Sequence, residues 1–214
     1  MVAVFVVLAI VQAFAVKAFQ VPSSSMEPVL KPGDRALVNR TAYMSGAPVV
    51  GDIVAFTWPE DWPSQPSERG ALRTVIGWVG DIVGFGPSNT DVLVKRVLAG
   101  PGDTVECCDD LGHLLRNGQQ ASEPFLGSDL PFVSGQLDCT TSPRSTRCFP
   151  MITVPDDHYL MVGDNRARSS DSVTLCRGAD AAAASDCARL VSRQRIIGKV
   201  FFVVFPFDRW GAPK

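Results

Sequence analysis

The first eighteen residues, MVAVFVVLAIVQAFAVKA, carry only two polar side chains, Gln12 and Lys17. A helix that crosses the hydrocarbon of a bilayer needs about 20 mostly apolar residues, with a lower limit of about 17, and this run meets that limit. No polar face repeats at helical spacing, so an amphipathic core helix fits it less well. Ala13-Phe14-Ala15 has the small-x-small pattern of a signal cleavage site. However, no basic residue precedes the run, and it is long for the apolar part of a cleaved signal. The expectation is an uncleaved transmembrane anchor over residues 1–19. Flanking charge fixes its orientation only weakly.

The other 195 or so residues, estimated from the length, suit one or two modest domains with a real core. Their apolar residues fall into short runs rich in branched side chains and separated by glycine and proline, which reads as β structure. Strands are expected at Asp34–Val38, Gly51–Phe56, Asp91–Leu98, Ile152–Val154, His158–Val162 and Arg195–Phe205. Asn117-Gly118 marks a hairpin. Leu72–Phe85 fits a strand pair or a short helix equally well. The net charge of −2 gives no electrostatic reason for a nucleic-acid partner.

The six cysteines, Cys107, Cys108, Cys139, Cys148, Cys176 and Cys187, form no Cys-x-x-Cys pair and no zinc-like spacing. They read as disulfides formed in an oxidising compartment, outside the cytoplasm; buried free thiols are the alternative. Local pairing, Cys139–Cys148 and Cys176–Cys187, is the simplest scheme. It leaves Cys107 and Cys108 to each other or reduced.

Three stretches hold candidate chemistry. In Phe19-Gln20-Val21-Pro22-Ser23-Ser24-Ser25-Met26-Glu27-Pro28, two prolines hold the backbone extended around three hydroxyls. The stretch is either a connector or the seat of a nucleophilic serine. Such a serine needs a base. His113 and His158 are the only histidines, and both also read as surface residues. Lys95 is the other possible base. Strand alternation puts it on the face of Leu93 and Val97, with Arg96 on the opposite face, and burial there would favour its neutral form. A lysine snorkelling from an edge strand is the competing reading. Gly163-Asp164-Asn165-Arg166-Ala167-Arg168-Ser169-Ser170-Asp171 breaks abruptly from apolar to polar after a strand and reads as a polar turn. No metal-binding or cofactor motif is present.

Taken in order, Pro22–Pro28 after an apolar run, Lys95–Asp103 and Gly163–Asp171 resemble the boxes of the bacterial type I signal peptidases, and Gly51–Phe56 resembles a further box of that family. The resemblance implies a membrane-bound serine endopeptidase without cofactor or metal. It would remove signal peptides from exported preproteins after small residues (Ala-x-Ala), at the lipid surface on the extracytoplasmic face of the cytoplasmic membrane.

Residue by residue, it implies Ser25 as nucleophile and Lys95 as general base. Ser23 would help stabilise the oxyanion, Ser169 would orient the lysine, and Asp171 would be an acidic neighbour of the pair. Phe19, Val21 and Val94 would line the substrate pockets. The family's acidic residue is replaced by Ala167 and its arginine by Val173; whether Arg168 pairs with Asp171 instead is open. The implied fold is mainly β: an antiparallel β-sheet catalytic body, residues 20–103 and 155–212, with a small inserted second β region, 104–154, preceded by one N-terminal transmembrane helix. Trp58, Trp62 and Trp78 are expected to meet lipid headgroups; ordinary core or edge tryptophans are the alternative. The rival readings are a self-cleaving regulator with the same Ser–Lys chemistry and a non-catalytic membrane-anchored binding domain.

Overall fold

The computed structural model of the protein describes residues 15–59, 62, 92–179 and 187–213. Eleven strands form two antiparallel sheets. In chain order the strands are β1 (Val16–Gln20), β2 (Arg35–Asn39), β3 (Ile53–Thr57), β4 (Val92–Ala99), β5 (Thr104–Cys107), β6 (Leu114–Arg116), β7 (Gln119–Gln120), β8 (Phe149–Thr153), β9 (His158–Val162), β10 (Val191–Ser192) and β11 (Ile196–Phe205). The large sheet runs β1-β2-β11-β3-β4-β9-β10, and the small one β7-β6-β5-β8. Among the described residues, short 3-10 turns punctuate the β structure. Among the described residues, no helix is long and apolar enough to cross a membrane.

The expected anchor lies outside the described residues as far as residue 14, and its last part is not helical. Val16–Gln20 is strand β1, paired with β2 from Val16–Asn39 to Gln20–Arg35. The edge of β2 satisfies the backbone of this segment, and Lys17 would be costly in hydrocarbon. The ambiguous Leu72–Phe85 and Trp78 fall outside the described residues.

The branched run of β4 sits between β3 and β9. Its alternation is as expected. Val92 and Val94 pack on a core containing Phe19, Met26 and Leu30, whereas Leu93 and Val97 join one built on Phe56, Trp62 and Tyr159. The Asn117-Gly118 turn takes positive φ at both positions, 54° and 73°, as a tight hairpin between β6 and β7 requires. A third core spans both sheets, with Val105, Phe149 and Ile152 packed against Leu98, Leu160 and Val173. The two sheets are therefore one packed body.

The cysteine sulfurs stand in three pairs, Cys107–Cys108, Cys139–Cys148 and Cys176–Cys187. Trp62 does not face lipid. It is buried and meets Phe56 edge-on at 5.5 Å, because Phe56 on β3 points into the core. The exposed aromatics among the described residues are Phe201 and Phe205 on β11 and Phe207 and Trp210 after it.

Candidate active site

The serine triplet is not a loose connector. Val21, Met26 and Leu30 are buried around it, and they draw the segment into the core. Ser24–Met26 closes one 3-10 turn, with Ser23 extended before it. The turn is secured by Glu27 N–H donating to Ser24 O at 3.1 Å and Leu30 N–H donating to Met26 O at 2.9 Å. Burying the flanking apolar side chains aims a single hydroxyl, that of Ser25, across the sheet.

Lys95 meets it from β4. Its Nζ donates to Ser25 Oγ at 2.6 Å, and both residues are buried, at 3% and 5% exposure. Ser23 Oγ lies 3.2 Å from Ser25 Oγ. Burial pulls the Lys95 ammonium down from 10.5 to about 8, against the opposing pull of the Asp171 and Asp164 carboxylates. Above that pH the lysine is mostly neutral and able to accept the serine's proton.

The polar turn after β9 forms the far wall. Asn165 N–H donates to Ser25 O at 3.0 Å. Gly163 permits this approach: a Cβ there would fall 2.4 Å from Ser25 O and 2.4 Å from Ser169 Oγ. Asp164 is gripped by Arg96, Nε to Oδ1 at 2.7 Å and Nη2 to Oδ2 at 2.6 Å. The same guanidinium donates to Gly51 O at 2.7 Å and stacks over Phe125 at 3.9 Å. Burial pushes the Asp164 carboxyl upward, and Arg96 pulls it back. Arg166 donates Nε to Gly163 O at 2.9 Å and pairs with Glu123, which comes from the segment between β7 and β8.

The structure brings together Ser23, Ser25, Lys95 and Asp171, and Val21 and Val94 border the same pocket with Ser25, Met26 and Lys95. Phe19 does not line that pocket; it packs in the core beneath it, because the pairing of β1 with β2 turns it inward. Ser169 does not orient the lysine as expected. Its Oγ is buried without a hydrogen-bond partner, pressed against Gly163. Asp171 is buried and accepts from Gly163 N–H at 3.3 Å. Arg168 is exposed; the arginine on Asp171 is Arg177, Nη2 lying 3.3 Å from each carboxylate oxygen. Sequence reasoning missed Arg177 and Glu123, since both lie in irregular segments with no periodic pattern.

The sequence matches the family described as signal peptidase, peptidase S26, over residues 1–205. The chain belongs to this signal peptidase family. It is 35% identical over 212 residues to a probable signal peptidase I of Mycobacterium leprae, covering 92% of this chain and 71% of that protein. It is 29% identical over 211 residues to signal peptidase IB of Staphylococcus aureus, covering 96% of this chain and 86% of that protein. A crystal structure of a signal peptidase I from Enterococcus faecalis, at 24% identity, covers 72% of this chain and 96% of its own, with a TM-score of 0.38. The signal peptidase boxes read in the sequence thus coincide with the segments that build this buried serine–lysine pair.

Proposed function

We propose that this chain is a membrane-bound serine endopeptidase that removes signal peptides from exported preproteins, with Ser25 as nucleophile and Lys95 as general base. The observation that carries this reading is the 2.6 Å contact between Lys95 Nζ and Ser25 Oγ in a buried site that lowers the lysine's proton affinity. Neutral Lys95 takes the Ser25 proton as Oγ attacks the scissile carbonyl. It then gives that proton to the leaving amine. Water, deprotonated in the same way, releases the acyl group from Ser25. The Ser25 N–H, near the start of its 3-10 turn, and the Ser23 hydroxyl are the donors for the oxyanion.

The substrate would bind as an added strand. β9 pairs with β4 only from Arg96 onward, so among the described residues Val92–Lys95 has no strand partner on the side facing Val21–Ser23. An extended peptide fits such an edge. The pocket between Val21, Met26, Val92 and Val94 is small and apolar, which suits alanine-sized residues at −1 and −3. Exported precursors, cysteine pairing and the apolar first residues agree on the extracytoplasmic face of the cytoplasmic membrane. Phe207 and Trp210, 72% and 60% exposed, suit the headgroup region. Arg209 ties them to the site through Val29 O at 2.8 Å and Asp34 at 3.1 Å.

The test is cleavage of a synthetic Ala-x-Ala precursor in detergent. Wild type should cleave after the second alanine, while Ser25→Ala and Lys95→Ala should not. Equal turnover of precursors with alanine or leucine at −1 would refute the pocket assignment. Full activity of Lys95→Ala would refute the dyad.

A further inference from the structure

Two carboxylates face Lys95, those of Asp164 and Asp171, and each raises its proton affinity. Left uncompensated, the two favour the charged form of the lysine. Asp164 is neutralised by the two-pronged grip of Arg96. Asp171 is fully buried, and its cation is Arg177, whose side chain is 13% exposed. The register partner of Lys95 on β3 is the uncharged Val54. On the serine side the nearest ionisable residue in sequence is the half-buried Glu27. The charge balance around Lys95 therefore rests on two arginine–carboxylate pairs.

Arg177 reaches Asp171 from an unusual place. It follows Cys176, which is fully buried and paired with Cys187. The next two residues dock on the other cysteine loop: Gly178 N–H donates to Cys148 O at 2.7 Å, and Arg144 Nη1 donates to Ala179 O at 2.7 Å. Arg177 also borders a small cavity shared with Arg147, Arg166 and Asp129. Both of these arginines have their own carboxylates, Asp129 and Glu123. Asp171 is thus the ion-pair partner left for Arg177 among the described residues.

We propose that Arg177 is a positioning residue for the Ser25–Lys95 pair, acting through Asp171, and that the Cys176–Cys187 link holds it in place. This rests on the Ser–Lys reading above. Arg177 aims the Asp171 carboxylate at Gly163 N–H and offsets its charge as felt by Lys95. Without it, Asp171 still accepts from Gly163 N–H and Thr174 Oγ1, and the field of its carboxylate, no longer offset, favours protonated Lys95.

The experiment measures kcat against pH for the full chain in detergent with the Ala-x-Ala precursor. Wild type should lose activity towards acid. In Arg177→Ala that acid limb should move to higher pH by about one unit, a loss of roughly tenfold below the limb with little loss on the alkaline plateau. Arg177→Lys should restore most of the shift. Should Arg177→Ala fold poorly, Arg177→Gln, which keeps the length and a donor but not the charge, carries the same expectation. The Cys176→Ser/Cys187→Ser pair should shift the limb in the same direction and add little to Arg177→Ala. Arg168→Ala, at an exposed position, should match wild type. A limb unmoved in Arg177→Ala and Arg177→Gln, beside a normal wild-type limb, would overturn the proposal alone. An acid limb missing from active wild type would count against the Ser–Lys reading and this proposal together.

Discussion

The large sheet and the small sheet are held by different means. In the large sheet β4 and β11 are 8 and 10 residues long. They pair across long sequence separations, and the reacting groups depend on backbone placement to within a few tenths of an ångström. In the small sheet no strand exceeds 5 residues and one has 2. These short strands lean on the core they share with the large sheet, through Val105, Leu114, Phe149 and Ile152, and covalent links are a common further support for so small a sheet. Two cysteine pairs, Cys107–Cys108 and Cys139–Cys148, lie in or beside it. The contrast separates a region where chemistry is set by packing from one where shape is kept by cross-links.

Substitution at the dyad should break the function of the large sheet without breaking its fold. Ser25→Ala and Lys95→Ala should each lower kcat at least about 10⁴-fold, and the double variant should be no worse than either, since the pair acts as a unit. Circular dichroism melting should stay close to wild type. Ser23→Ala comes next, with a loss on the order of 10²–10³ in kcat and little change in KM, as for a removed oxyanion donor.

The pH dependence is smaller again and has a definite sign. Lys95 is lowered to about 8, so the competent neutral form dominates above that pH. Activity should rise through about pH 8 and fall roughly tenfold per unit below it. A flat profile from pH 6 to 9 would mean that Lys95 is not the base. In the small sheet the balance reverses. Cys139→Ser/Cys148→Ser should cost about 2–4 kcal/mol in urea unfolding, while kcat stays within a few-fold wherever the fold persists. The least effect belongs to the histidines. His113 pairs with Asp109 at 2.9 Å in a turn before β6, and His158 contacts Asp156 O at 2.8 Å on the surface. Alanine at either should leave cleavage nearly unchanged.

The same contrast explains what was legible beforehand. Lys95 and Ser25 stand out because local rules govern them: strand alternation fixes the face of Lys95, and two prolines with buried neighbours fix the turn of Ser25. The Asn117-Gly118 hairpin and β9 follow from equally local signals. Val16–Phe19 misled because apolar content is shared by a membrane helix and an edge strand, and only the free edge of β2 decides between them. Phe19 packs in the core and Ser169 Oγ makes no hydrogen bond, contacts that depend on rotamers and register. Glu123 on Arg166 and Arg177 on Asp171 had no local signal at all. Glu123 reaches Arg166 from a separate loop, 43 residues away in sequence, and Arg177 reaches Asp171 within one irregular connection, six residues along; neither segment has a periodic pattern.

Strand β11 lies between β2 and β3 in the large sheet. Among the described residues, β2, which follows the Ser25 turn, and β3, which pairs with the Lys95 strand, are therefore joined in this sheet by the strand synthesised last of the eleven. On the ribosome, both reacting groups emerge long before it. On the Ser–Lys reading, a growing chain would hold both partners of the pair before it holds the strand that joins their halves of the sheet, and the pair would be assembled only once Phe205 has been translated and folded in.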